Sequence, residues 1–417
     1  MVKDEKADID INSSAPRAEA TFADTDLRMD KAQHKDKANP SSIGNSDYGI
    51  EEPTIMISEF DEIKERLSLE EVENICMRGE SVESALGRYL QARKFDIDKT
   101  EACIRKRLEW ANSYVVKCVQ DGKAGCLKCD VEEILQFYPG AYAESPDKVG
   151  RPIWYEQTGR VDSYALNTLT SNENFVRYHV CLMEELQDKF LEQSQVTGKY
   201  VNKTCSILDM KGFTLSMLTG EATEIIKMIA KTDSDYYPET MGAMFIINAP
   251  TVFSMAWSVI QGFLDPRTVS KIRVCRGESE WKPKLLEEIG CDNMPAELGG
   301  NGPPCLPSNP AFKEVTLASS GQEKSTFKVK KGDRIFYKFF TRNSGNISFK
   351  CCLEMDESDG NKNAIDLIPL KDYAAAQCSD GNFVSGEFEI PSDGNLTAVW
   401  EHPGWWSRNL IYRVIVK

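Results

Sequence analysis

Residues Tyr236 to Val274 read YYPETMGAMFIINAPTVFSMAWSVIQGFLDPRTVSKIRV. Met244 to Ile247 is a continuous apolar run stopped by Asn248, Ala249 and Pro250, the pattern of a strand buried on both faces. Val269 to Val274 reads as a second strand. Between them Val252, Phe253, Met255, Ala256, Trp257, Val259, Ile260, Phe263 and Leu264 cover nearly the whole circumference of a helix instead of a single stripe. The stretch falls well short of the roughly 20 apolar residues that span a bilayer, and Asp265 and Pro266 stop it. Such a helix must be hidden, and three neighbours are open to it: a protein core, an apolar ligand, or the surface of a membrane.

Working outward from this stretch, strands alternate with helical segments from Glu132 to Gly300. Ile153 to Tyr155 and Cys205 to Leu208 read as strands, Glu173 to Gln193 and Glu221 to Ala230 as helices, which together argue a βαβ architecture with a mainly parallel sheet. Earlier in the chain, from Ile55 to about Tyr114, apolar residues recur at three- and four-residue spacings: Ile57, Phe60, Ile63, Leu67, then Leu86, Tyr89, Leu90, then Cys103, Ile104, Leu108 and Trp110. A small helical subdomain over 53–115 is expected, followed by an α/β domain over 116–302. Residues 1–52 carry almost no aliphatic or aromatic content and are expected to be a disordered tail. NGPPCLPSNP, Asn301 to Pro310, reads as a linker, placed at 303–311. Beyond it the pattern changes to period two, in Thr326 to Phe340 and Phe383 to Ile390, with turns at Gly332-Asp333 and Asp393-Gly394. No helical period appears before Lys417, so 312–417 reads as an antiparallel β-sandwich.

The chain has 417 residues and a formal charge of −15, which argues against general nucleic-acid binding because the phosphate backbone rewards Lys and Arg. The first residues lack a basic start followed by an apolar run, and no segment is long enough for a transmembrane helix, so the cytoplasm is the expected compartment. Thirteen cysteines, an odd number, are scattered, which favours free thiols. Cys126 and Cys129 form one CxxC without a second pair or a His at zinc-ligand spacing, so no metal is expected. Of the three histidines, His34 lies in the tail, and His179 reads as a helix residue with a satisfied partner, not a general base. The Gly-x-Ser-x-Gly, Walker and dinucleotide glycine patterns are absent, and no enzyme is expected.

Polar groups around the opening stretch are the better lead, since charges among buried strands are costly unless paired or serving a ligand. Lys271 and Arg273 interrupt the expected second strand, Glu239 follows a Tyr-Tyr-Pro, and Arg93 with Lys94 sits in RYLQARKFD. Each reads either as a satisfied salt bridge or as part of a polar site at the edge of an apolar cavity. The ordered set YLQARKFD, GRPIWYEQTGR, CSILDMKGF, YYPETMG, FIINAP, FLDPRTVSKI and ELGG, from about Leu86 to Gly300, resembles the CRAL-TRIO lipid-binding family. Within it the chain is similar to the branch related to yeast phosphatidylinositol/phosphatidylcholine transfer protein and animal tocopherol-associated protein. The tail AVWEHPGWWSRNLIYRVIV resembles the GOLD domain, with Trp400, Trp405, Trp406, Arg408 and Tyr412 carrying the signature.

The resemblance implies a bowl-shaped α/β CRAL-TRIO domain with an N-terminal helical subdomain, followed by an all-β GOLD sandwich. The bowl would enclose one lipid beneath a movable gate helix carrying Phe253, Trp257, Ile260 and Phe263. It assigns an inositol phosphate to Arg93, Lys94, Glu239, Thr268 and Lys271, and a choline lipid to Thr204 and Ser206, with two family tyrosines standing here as Ala143 and Trp154. A phosphate diester suits the cationic donors, and an inositol suits carboxylate and hydroxyl partners. Ala143 has no ring to offer a choline cation, which makes a second, different apolar ligand the expectation beside phosphatidylinositol; no other cofactor is implied. Two functions stay open. One is a non-enzymatic carrier that delivers or presents lipid at membranes; the other is a membrane-targeted scaffold whose GOLD sandwich recruits protein partners for Golgi or endosomal traffic or signalling.

Overall fold

The computed structural model describes residues 57–342, 345–355 and 363–417; the tail expected over 1–52 lies outside them. Behind α1 (Ile57–Arg66), three capping side chains set where the next helices begin. Ser68, Ser81 and Asp96 each accept a hydrogen bond from the backbone three residues on, starting α2 (Leu69–Ile75), α3 (Val82–Ala92) and α4 (Ile97–Trp110). These helices bury Ile63, Leu67, Leu86, Tyr89, Leu90, Cys103 and Ile104 against one another, the residues whose spacing foretold them. Helical structure runs on past residue 115, through a π-helical turn at Ala111–Val115 into α5 (Val116–Leu127) and α6 (Val131–Phe137).

The central sheet has the order β1 (Gly140–Tyr142), β2 (Ile153–Glu156), β3 (Thr204–Asp209), β4 (Met241–Ile247) and β5 (Ile272–Val274). Only β1 runs antiparallel to its neighbour; the other pairings are parallel, as the alternating pattern predicts. The crossovers are α7 (Ser163–Leu169) with α8 (Asn172–Thr197), then α9 (Gly220–Tyr236), then α10 (Phe253–Ile260) with α11 (Pro266–Ser270). Successive strand residues point to opposite faces. On one face Cys205, Ile207, Ala243, Phe245 and Ile247 pack with Trp281 and Leu285 of α12 (Glu278–Glu288). On the other, Thr204, Ser206, Leu208, Met244 and Ile246 line a cavity.

The strand expected over Val269 to Val274 is shorter than the sequence suggests. Pro266 sits at the start of α11, and the Asp265 side chain accepts a hydrogen bond from Arg267 N at 2.9 Å, so helix-start chemistry overrides the β preference of Val269. Lys271 therefore ends a helix and does not interrupt a strand; only Ile272 to Val274 pairs with β4.

The C-terminal lobe is a pair of four-stranded antiparallel sheets built from β6 (Lys313–Leu317), β7 (Gln322–Val329), β8 (Arg334–Thr341), β9 (Ile347–Met355), β10 (Asn363–Tyr373), β11 (Val384–Glu389), β12 (Gly394–Glu401) and β13 (Arg408–Val416). Their orders are β10-β9-β12-β7 and β11-β8-β13-β6, the sandwich that the period-two pattern predicts. One turn of helix, α13 (Ala375–Cys378), interrupts it and is too short to leave a helical period. Phe339, Phe349, Trp400 and Tyr412 meet between the sheets, the last two with ring centroids 4.1 Å apart.

Part of the outward face of β8 and β13 is covered by the first lobe. Phe340 and Ile411 pack with Phe312, Phe137 and Leu166 in one buried cluster shared by the two lobes. Beside them Glu133, itself buried, receives Lys338 Nζ at 2.5 Å and Arg413 Nη1 at 3.1 Å. The proline-rich segment between the lobes is also pinned, since Cys305 N and Leu306 N both donate to Glu297 Oε1, at 2.8 and 2.9 Å.

Candidate functional site

The cavity has a volume of about 610 Å³ and lies between the sheet, α8, α9 and α10. Its walls follow from helical periodicity. On α8, Phe175, Leu182, Met183 and Leu186 recur on one face, and on α9 Ile225, Ile226, Ile229 and Ala230 do the same. The α10 side closes with Phe253, Trp257 and Ile260, continued by Phe263 and Leu264. Phe253 and Ala256 are buried, whereas Met255 is 55% and Val259 46% exposed. The helix thus has two apolar faces, one on the cavity and one open to solvent. Of the three neighbours left open for it, the inner face has protein and cavity.

One end of this apolar space is charged. Glu239 stands in the turn between α9 and β4 with a φ of 59°, a left-handed backbone that a non-glycine residue adopts at a cost of about 1–2 kcal/mol. Its carboxylate bridges Lys271 Nζ and Arg267 Nη2, each at 2.9 Å. Lys271 also donates to Met241 O at 3.1 Å. Arg93, at the end of α3, donates to Ser234 O at 3.0 Å and lies 3.8 Å from Asp235. Behind the turn, buried Arg88 is paired with Glu80 at 2.6 Å and donates to Pro238 O at 3.0 Å, tying the helical subdomain to the residue before Glu239. Arg267 donates to Gln91 O through Nη2, while its buried Nε has no hydrogen-bond partner among the described residues. A cationic cluster with a spare donor, opening onto an apolar space, is suited to an anionic or polyhydroxylated head on an apolar body.

Of the twelve residues the sequence singles out, eleven line this cavity: Arg93, Glu239, Thr268, Lys271, Thr204, Ser206, Trp154, Phe253, Trp257, Ile260 and Phe263. Lys94 does not. It and Phe95 both have left-handed backbones, φ 55° and 61°, which end α3 and leave Lys94 exposed. Ala143 is buried in the sheet core, and the aromatic neighbour of Trp154 in the cavity is Tyr142, at 5.0 Å between ring centroids. Arg267 and Arg88 went unrecognised although both lie inside quoted motifs, because nothing in spacing tells an inward arginine from an outward one.

A second polar group interrupts the apolar wall. Glu156 accepts from Tyr138 Oη at 2.5 Å, Thr158 Oγ1 at 2.7 Å and Trp154 Nε1 at 3.3 Å. Burial, and then the Glu156 charge, push the Tyr138 hydroxyl well above its ordinary pKa, so it stays a donor. Nearby, His179 Nε2 lies 2.6 Å from Asp233 Oδ1, the satisfied partner expected for that histidine. Among the described residues, no cluster of three or more His, Cys, Asp or Glu side chains is arranged to hold a metal ion, and no helix is long and apolar enough to cross a membrane. The thirteen cysteines are free thiols.

The family model for the CRAL/TRIO domain matches residues 138–300. The Sec14 cytosolic factor of Schizosaccharomyces pombe is 34% identical over 220 residues, a match covering 52% of this chain and 74% of that protein. The chain belongs to the CRAL/TRIO family. A phosphatidylinositol/phosphatidylcholine transfer protein of Arabidopsis thaliana, SFH12, is 36% identical over 218 residues, covering 51% of this CRAL/TRIO chain and only 38% of that relative. The CRAL/TRIO model match ends before the linker, and the described sandwich begins at Lys313.

Proposed function

We propose that this chain is a non-enzymatic lipid carrier that holds phosphatidylinositol, and alternately a second apolar ligand, in the cavity and exchanges or presents them at membranes. The observation that carries the reading is the junction of an apolar cavity with the Arg93, Glu239, Arg267 and Lys271 cluster, whose buried Arg267 Nε makes no hydrogen bond among the described residues and lies 3.8 Å from Asp265 Oδ1. Thr268, Thr204 and Ser206 add hydroxyls within the same cavity. Burial of acyl chains at about 0.8 kcal/mol per CH₂ would supply affinity, and the charged cluster would select the head. In this reading α10 is the gate, the outward Met255 and Val259 being its membrane contact, and the protein works in the cytoplasm with reversible attachment to membranes. The likeness of the relatives supports lipid transfer, and that of the C-terminal sequence supports a GOLD sandwich.

The test is native mass spectrometry of the lipids carried by the purified protein, joined to phosphatidylinositol transfer between vesicles. Lys271→Ala should lower transfer at least about tenfold, the loss of one charge-assisted contact, while Lys94→Ala should leave it near the wild-type rate. An empty cavity with no transfer would sink the proposal.

A second reading, a membrane-targeted scaffold that recruits protein partners, is favoured by one observation. Trp405 and Trp406, at the β12–β13 connection, are 90% and 80% exposed, and rings of that size left in water are common anchors for a partner. If cellular activity survives occlusion of the cavity but not removal of these rings, the scaffold reading prevails.

A further inference from the structure

Two connections meet at one end of the sandwich: β6–β7, where Ala318 to Gly321 reads ASSG, and β12–β13, where Pro403 to Ser407 reads PGWWS. They are bonded to each other. Ser319 Oγ and Ser320 N donate to Gly404 O at 3.1 and 3.3 Å, and His402 N donates to Gly321 O at 2.9 Å. His402 is itself buried, and its ring braces the second connection, Nε2 donating to Trp406 O while Nδ1 accepts from Gly404 N at 3.4 Å. A Cβ on Gly404 would stand 2.5 Å from that ring, so the chain is drawn tightly over the imidazole. The result is a braced tip that holds Trp405 and Trp406 in water, 90% and 80% exposed.

What surrounds the rings selects the partner. Two indoles can bury about 150–250 Å² each, but a protein hot spot also needs a polar rim that hydrogen-bonds across the contact. Here the rim is Ala, Ser, Gly and Pro, and neither connection holds a charged side chain. Charges resume on the strands behind the tip, the nearest along the chain being Glu323, Glu401 and Arg408. A lipid headgroup layer asks for no such rim: it takes the body of the ring and offers oxygen acceptors to the indole N–H in many directions. With a formal charge of −15 on the chain, an uncharged tip also fits a zwitterionic surface better than an anionic one. We propose that this end of the sandwich is a membrane-contact site, in which Trp405 and Trp406 enter the interface of a phosphatidylcholine bilayer. The site is separate from the contact assigned to α10 and does not rest on the carrier reading, since it needs no lipid in the cavity.

The experiment is flotation of the purified full chain with phosphatidylcholine vesicles, wild type against Trp405→Ser/Trp406→Ser and Trp405→Phe/Trp406→Phe. Vesicle binding should fall at least about tenfold in the serine variant, be largely kept in the phenylalanine variant, and stay unmoved between about 0.1 and 1 M salt. Quenching of tryptophan fluorescence by brominated phosphatidylcholine is the second readout. Trp154 and Trp257 line the cavity and can be quenched from within it, so the signal that counts is the part lost in the phenylalanine variant. A wild-type chain that does not float, or full binding by the serine variant, overturns the proposal. So does self-association that the serine substitution abolishes while vesicle binding is unmoved, because the rings would then belong to a protein surface. Phosphatidylinositol transfer is measured separately: its loss with flotation intact counts against the carrier reading alone, and loss of flotation with transfer intact counts against the tip alone.

Discussion

Glu239 shows how much of the polar end depends on single side chains. Its left-handed backbone is strained, and the strain is held by Lys271, Arg267, a Lys203 contact to its carbonyl, and Arg88 clamping the carbonyl before it. The His179–Asp233 pair responds to pH with a definite sign. Burial alone would lower the imidazole pKa, but the Asp233 charge and hydrogen bond, with Glu156 beyond, raise it above the ordinary 6.5. A raised folded-state value means the stabilisation is fully present below pH 6.5 and is lost as pH climbs through that raised value. The stability gap between wild type and His179→Leu, from urea unfolding at several pH values, should therefore be widest in mild acid and narrow upward. A gap that widened with pH would contradict the pairing. At this scale the sequence was informative where a motif fixed a residue's place, as for Glu239, Thr268 and Lys271. Lys94 is exposed and does not line the cavity, at a pair of consecutive left-handed residues, and Arg267 went unremarked although it shares its motif with residues that were singled out. The sequence was silent on Asp233, because the meeting of α8 and α9 is decided by packing.

Among the elements, α10 carries the clearest expectation. Its apolar circumference was legible because a surface helix ordinarily carries a single apolar stripe, and the structure divides that circumference into a cavity face and an open face. If the open face is what meets a bilayer, Met255→Asp with Val259→Asp should slow vesicle-to-vesicle transfer at least about tenfold, since each change replaces interfacial burial with a charge. Lipid already bound should remain, as read by mass spectrometry. Loss of bound lipid together with transfer would mean that the face supports the fold of α10 instead. Strand elements were legible through period two on β7, β8 and β11, whereas α11 escaped because Pro266 and Asp265 start a helix only five residues long inside a β-branched stretch.

For the whole molecule, the feature with the widest reach is the cluster in which Phe340 and Ile411 of the sandwich meet Phe137, Leu166 and Phe312. Leu166 also lines the cavity, so sandwich and cavity share a wall. Phe340→Ala should cost about 3–5 kcal/mol, typical of a buried phenylalanine, and calorimetry should record one cooperative transition for both lobes in the wild type. Two separate transitions, with only the later one moved by the substitution, would count against a shared core. The proline-rich stretch at Asn301 to Pro310 reads in sequence as a tether, and nothing in its composition discloses that Cys305 and Leu306 are pinned to Glu297. Anyone dividing the protein at that point for separate study would uncover Phe137 and Phe340 to water and strand Glu133 without Lys338 and Arg413. The two fragments would be sticky and less stable than their individual folds suggest, and lipid leaking from a truncated first lobe would report the cut, not the native behaviour of the cavity.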